Sequence, residues 1–346
     1  LLAQTLLAQT LLAQTLLAQT LLAQTLLAQT PTSNPGPGPG PDHRGDQILK
    51  SIDNYMWHLK LGDIAHVDQI TYTSTPPHHE ANPTGQGAGN AMIVYAYTFI
   101  PKALDRSRKH PSLVYVHGGV HSNLQSGGSA NGAHIIRELL ELGYTVIAPD
   151  YRGSTGYGAG YYNRIDYGGR ENDDVHAARA WLLERYSFLD PARVGMLGWS
   201  HGGMITLMTI FQHPKDYAVA YAGVPVSDLV ARLGYKSESY RKVFSAKSHI
   251  GKTVEEDVQA YLNRSPFTYA AKLETPLWID GNTNDEDVNI LEVRRMIDAL
   301  QAAGKRFESK IWEAAPGGHH FNRIDTKLAR DSRAEIWRFL GQHLKP

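Results

Sequence analysis

Ser200 stands in the run Gly198-Trp199-Ser200-His201-Gly202-Gly203, between an apolar segment from Arg193 to Leu197 and another from Met204 to Phe211. A GxSxG pattern between a strand and a helix predicts a nucleophile elbow. The chain turns sharply, the serine hydroxyl stands clear of the sheet edge, and side chains at Gly198 and Gly202 would collide with neighbouring backbone. A Gly-rich turn without chemistry is the alternative; the flanking segments argue against it. Serine is a weak nucleophile at neutral pH, so the elbow needs a general base, a carboxylate to orient that base, and donors for the developing oxyanion. Two downstream loops carry such groups. One holds Asp285 and Asp287, and the other holds His319 and His320. Asp285 lies among Asn and Asp residues, where a carboxylate also serves to cap a helix expected from near Asn289.

The elements that must position these residues follow from periodicity. Apolar runs at Ala91 to Phe99, Leu113 to Val116, Thr145 to Ala148, Arg193 to Leu197, Ala218 to Val224, Pro276 to Ile279 and Phe307 to Trp312 read as buried strands. Helical periodicities fall at His134 to Leu142, Asp173 to Arg185, Met204 to His213, Leu291 to Ala303 and Lys327 to His343. An earlier helix is expected near Ile48 to Leu61. Alternating strands and helices imply a mostly parallel sheet covered on both faces, an α/β fold. The acid loop follows the strand Pro276 to Ile279, and the histidine loop follows the strand ending at Trp312. The order serine, acid, histidine is that of the α/β-hydrolase fold.

Composition narrows the function classes. Lys plus Arg and Asp plus Glu both number 34, so no net charge recommends nucleic acid or an anionic surface as a partner. With 0 Cys, a thiolate nucleophile, disulfides and cysteine-ligated metal are excluded. The 16 His include no HExxH pattern, and His78-His79-Glu80 in a Pro-rich segment reads as a solvated loop. No metal or other cofactor is expected. Residues 1–30 are six copies of Leu-Leu-Ala-Gln-Thr, and residues 31–45 form a Pro/Gly-rich linker. A five-residue step advances a helix by ~140°, which spreads the leucines around the circumference and favours neither a coiled coil nor one amphipathic face. Gln and Thr interrupt the repeat too often for a membrane span. The repeat reads first as an expanded low-complexity segment with no fixed role; it is also similar in composition to an export leader, without a basic region or initiator Met, and on that similarity alone export is favoured over a cytoplasmic location. Residues 46–346 have the size of one α/β domain.

Taken together, the motifs resemble the catalytic domain of the prolyl oligopeptidase family of serine hydrolases, over roughly residues 114–321. They are Val116-His117-Gly118-Gly119, the run from Asp150 to Gly158, the serine elbow, the acid loop Gly-x-x-x-Asp-x-x-Val, and Gly-His-x-Phe ending at Phe321. The resemblance implies an α/β-hydrolase fold, Ser200 as nucleophile, and His319 rather than His320 as base. It selects Asp285, three positions before the loop valine, with Asp287 as the alternative because the loop is one residue longer than usual. It also implies an oxyanion hole from the backbone N–H of His201 and a donor from His117, Gly118 or Gly119, where some members use a tyrosine. The run Asp150-Tyr151-Arg152 is expected to be a structural turn, and Asp174 and Asp190 to be capping or helix-packing residues.

Two departures from the family pattern bear on the substrate. The family's peptidases usually carry a β-propeller before the hydrolase domain, for which the residues before Val114 leave no room. The site is then expected to be more open, or covered by a homo-oligomer contact or by the insertion between Leu229 and Leu262. Peptidases of the family also often place Arg or Asn immediately before the loop valine to donate to a peptide carbonyl; Asp287 cannot donate that bond. No proline pocket is recognisable. A peptidase acting on short peptides is therefore expected first, a carboxylesterase on small esters second, and a non-catalytic binding protein third.

Overall fold

The computed structural model describes residues 41–78, 89–127, 132–247 and 249–346. The pentapeptide repeat, most of the linker, and His79 and Glu80 lie outside the described residues. A compact unit runs from His43 to Pro346. In chain order its elements are α1 (His43–Leu61), β1 (Ala65–Ser74), β2 (Met92–Pro101), β3 (His110–Val116), α2 (Ala133–Glu141), β4 (Thr145–Asp150), α3 (Ala159–Tyr162), α4 (Glu171–Arg185), β5 (Leu189–Trp199), α5 (His201–Gln212), β6 (Val219–Gly223), α6 (Leu229–Tyr235), α7 (Glu238–Ser245), α8 (Val258–Leu262), β7 (Leu277–Asn282), α9 (Ile290–Ala302), β8 (Glu308–Trp312) and α10 (Lys327–Leu344). Helix α1 begins inside the stretch that composition assigns to the linker.

The strands form one sheet in the order β1-β2-β4-β3-β5-β6-β7-β8. Pairing is antiparallel for β1 with β2 and β2 with β4, and parallel from β4 onward. The seven strands expected from apolar runs are all present within a few residues of their expected limits. Strand β1 was not among them. Its burial alternates along the chain, with His66, Asp68 and Gln69 exposed beside buried Ala65, Val67 and Tyr72, so it has no continuous apolar run.

Alternation places successive strand residues in different cores, because side chains of neighbouring residues leave a sheet on opposite faces. Val114 and Val116 of β3 and Met196 of β5 join the core made with α4, α5 and α9. Leu113, Tyr115, Leu197 and Trp199 join the other core, with α1, α2 and α10. Helix α5 is buried from His201 to Phe211, which explains its apolar composition on every side. The turn after β4 is structural, as its composition implies. Asp150 pairs with Lys50 of α1 at 2.7 Å, and Arg152 pairs with Asp174 of α4 at 2.6 Å, all four side chains buried. Asp174 is thus a buried ion-pair partner as well as a first-turn helix residue. No helix among the described residues is long and apolar enough to cross a membrane.

Candidate active site

Ser200 occupies the junction of β5 and α5 with φ 60° and ψ −121°, a region that L-residues seldom adopt. The surroundings hold it there: its N–H donates to Gly223 O (2.9 Å), and its O accepts from Met204 N (3.0 Å) and Val226 N (3.2 Å). The glycine requirement is visible in the packing. A Cβ on Gly198 would lie 2.4 Å from Gly202 O, and one on Gly202 would lie 2.3 Å from Val116 O. His201 is the first residue of α5, so its N–H has no acceptor within the helix and lies beside the serine.

A buried chain of hydrogen bonds locks the elbow to the neighbouring strands. Trp199 Nε1 donates to Asn322 Oδ1 (3.0 Å), Asn322 Nδ2 to Tyr221 Oη (2.8 Å), and Tyr221 Oη to Asp280 Oδ2 (2.9 Å). Burial raises the Asp280 pKa to about 7. A carboxyl whose folded pKa exceeds its unfolded value contributes stability that is complete below the unfolded pKa and is lost as pH rises through the folded one. The midpoint of unfolding is therefore expected to fall less between about pH 5 and about pH 8 in Asp280→Asn than in the wild type. Parallel thermal melts across that range measure the difference; equal slopes would show that Asp280 ionises as freely in the folded protein as in the unfolded one.

The acid and the base meet at the C-terminal ends of β7 and β8. His319 Nδ1 lies 2.7 Å from Asp285 Oδ2, while Asp285 Oδ1 accepts from the backbone N–H of Asp287 and of Val288, each at 2.8 Å. Asp285 does not cap the following helix: Asn289 does, accepting from Leu291 N. Asn282, at the end of β7, clasps the histidine loop by donating to Ala315 O and Gly318 O and accepting from Ala315 N, all at 3.0 Å. Arg323 donates to His319 O at 2.6 Å. The loop itself turns on Gly317, at φ 97°. His320 is packed beside Arg323, and burial brings its pKa down to about 4.

Asp287 is held differently. Its Oδ1 accepts from Arg232 Nη2 (3.0 Å) and Lys236 Nζ (2.6 Å), both from the insertion after β6, while Oδ2 lies 3.6 Å from His319 Nε2. Burial raises its pKa, but Arg232 and Lys236 outweigh that and bring it to about 2. The insertion also reaches the loop after β3, where His249 Nε2 lies 3.1 Å from His121 Nε2.

In the oxyanion loop, Gly118 packs so closely on the elbow that a Cβ there would lie 2.9 Å from Trp199 O. Tyr151 Oη donates to Gly119 O at 2.7 Å and lies 3.2 Å from His117 O. The imidazole of His117, an open alternative on sequence, is turned away. It is fully buried, with Nε2 3.1 Å from Ser154 Oγ and Nδ1 3.0 Å from Gly118 O. Burial lowers its pKa to about 4. Of the candidates the sequence offers in this loop, the Gly118 and Gly119 amides remain, and both residues line the cleft beside Ser200. Ser200, Gly118, Gly119, Asp287 and His319 line one cleft of about 650 Å³. Asn282, Arg232 and Lys236 were not legible as site residues, because each acts through a partner distant in sequence; Arg323, four residues from its partner His319, belongs to no motif that marks it.

The sequence profile of the prolyl oligopeptidase family matches residues 133–346. An uncharacterized peptidase of Bacillus subtilis, YuxL, is 28% identical over 258 residues, which are 74% of this chain and 38% of that protein. Dipeptidyl peptidase 8 of Homo sapiens is 33% identical over 239 residues, 67% of this chain and 25% of that protein. The chain thus spans well under half the length of these relatives. Among solved structures, an acylaminoacyl peptidase of Pyrococcus horikoshii superposes with a TM-score of 0.65 at 16% identity, over 82% of this chain and 43% of that one. Dipeptidyl peptidase 4 of Porphyromonas gingivalis gives 0.63 at 21% identity, over 81% and 36%. These likenesses carry the α/β-hydrolase fold. With the family profile covering well over half of its residues, the chain belongs to the prolyl oligopeptidase family.

Proposed function

We propose that this chain is a serine peptidase that cleaves short peptides through Ser200, His319 and Asp285 and a covalent acyl-enzyme. The observation that carries this reading is the 2.7 Å contact from the buried Asp285 Oδ2 to Nδ1 of His319, which lines the same cleft as Ser200. With Nδ1–H donating to the carboxylate, Nε2 keeps its lone pair and takes the proton from Ser200 Oγ as that oxygen attacks the acyl carbon. The oxyanion is stabilised by the backbone N–H of His201 and an amide of Gly118 or Gly119. The imidazolium then protonates the leaving nitrogen, the C–N bond breaks, and water repeats the sequence on the acyl-enzyme.

Asp287 bears on the substrate. Its charge repels a peptide carbonyl and accepts from an ammonium, which supports selection of substrates with a free amino group near the scissile bond. A second reading, a carboxylesterase on small esters, is favoured by the same residue, since an ester needs no donor at that position. Purified protein assayed on alanine p-nitroanilide, its N-acetylated form and p-nitrophenyl acetate separates these readings. Turnover of both anilides and the ester is expected, with the free amine preferred. Ester turnover alone would overturn the peptidase reading.

A further inference from the structure

The catalytic machinery does not extend to the far end of α5, whose 12 residues carry the chain roughly 18 Å from the elbow. His213 caps that end, Asp216 follows in the next turn, and His176 approaches from α4. We propose that His176, His213 and Asp216 bind a divalent transition-metal ion of the zinc, cobalt and nickel class. One ligand atom from each residue lies within 4.8 Å of the others. His176 Nε2 is 3.5 Å and His213 Nδ1 is 4.0 Å from the same oxygen, Asp216 Oδ2. Ligands around a tetrahedral zinc ion with bonds of about 2.0–2.1 Å stand roughly 3.3 Å apart, so the two edges that meet at Asp216 Oδ2 must contract by about 0.2 and about 0.7 Å. Two imidazoles and a carboxylate suit the borderline metals rather than magnesium or calcium.

The surroundings supply what such a site requires. His213 and Asp216 are fixed in one turn by the bond from Asp216 N–H to His213 O (3.2 Å). Tyr217 Oη lies 3.3 Å from His176 Nδ1; donation from Nδ1–H to that oxygen leaves the Nε2 lone pair for the metal. The C-terminal end of α5 places its negative dipole end at the site.

Two features work against binding and shape the test. The His176 and His213 rings stack 3.6 Å apart at 2°, so one ion cannot lie in both planes until His213 turns about its loosely restrained terminal torsion. Arg179 Nη1 lies 3.9 Å from Asp216 Oδ1, the oxygen the metal does not need, and its charge opposes a cation.

The test is calorimetric titration of the chelator-treated full chain with Zn²⁺, paired with Co²⁺ absorption spectra. The wild type is expected to bind one more equivalent than His176→Ala/His213→Ala and to develop visible Co²⁺ bands that this variant lacks. Tyr217→Phe is expected to bind about tenfold more weakly, and Arg179→Gln more tightly. Asp216→Asn, which conserves volume, supplies the same comparison if the double variant does not fold. Equal stoichiometry and equal Co²⁺ spectra in the wild type and the ligand variants would overturn the proposal, as would no Zn²⁺ binding by the wild type. Hydrolysis by the double variant is expected to match the wild type, since none of these residues lines the catalytic cleft.

Discussion

Ser200→Ala is expected to lower kcat on a p-nitroanilide by about a million-fold while leaving the unfolding midpoint close to that of the wild type. The loss is large because the hydroxyl is the only part of the proposed machinery that forms a bond to the substrate. Without it, His319 has no proton to take, and Asp285 no imidazolium to stabilise. What remains is substrate binding and the amides of His201, Gly118 and Gly119, whose stabilisation of a direct water attack is worth about 10³–10⁴-fold over water. The fold should be indifferent to the change. Alanine keeps the Cβ, and the contacts that hold the strained backbone are made by the Ser200 N–H and C=O, not by Oγ. Steady-state kinetics beside a thermal melt decide the matter. A variant that retains activity within about tenfold of the wild type would refute the nucleophile assignment.

The second large effect distinguishes two carboxylates that lie two residues apart. Asp285→Asn is expected to reduce kcat by about 10⁴-fold. An asparagine at this position can still accept the backbone N–H groups of Asp287 and Val288 through its oxygen. Its amide nitrogen then faces His319 Nδ1 and, being a donor, reverses the tautomer. Nε2 now carries the hydrogen and cannot take the serine proton. Asp287→Asn has no such consequence, because Asp287 lies on the Nε2 side of the ring and is held through its other oxygen by Arg232 and Lys236. Its effect is expected to be no more than about tenfold, and to appear mainly in KM for substrates with a free amine. Measuring kcat and KM separately for the two variants provides the check. The opposite ranking, with Asp287→Asn the more damaging, would exchange the roles of the two residues.

Much of this arrangement is legible in the order of residues along the chain. Small residues at Gly198 and Gly202 beside a serine have a steric meaning that survives any context, and the observed close approaches to Gly202 O and Val116 O supply the reason. The parallel strands are legible because burial on both faces demands continuous apolar runs. Strand β1 is not, because it is half exposed and antiparallel, and α6, α7 and α8 are not, because each is short.

The amino-acid sequence alone determined the serine, the histidine motif, the pair of candidate acids and the strand-helix alternation, since those depend on local sterics and on periodicity. Tertiary structure decided the rest. It brought Asp285 rather than Asp287 to His319 Nδ1, turned the His117 ring into the core, and set Arg232 and Lys236 of the insertion against Asp287. It also gathered His176, His213 and Asp216 at the far end of α5. These outcomes depend on where loops from separate strands come together. Residue spacing along the chain carries no measure of that: Asp285 and Asp287 differ by two positions, yet backbone hydrogen bonds and charges from distant segments turn them to opposite nitrogens of one ring.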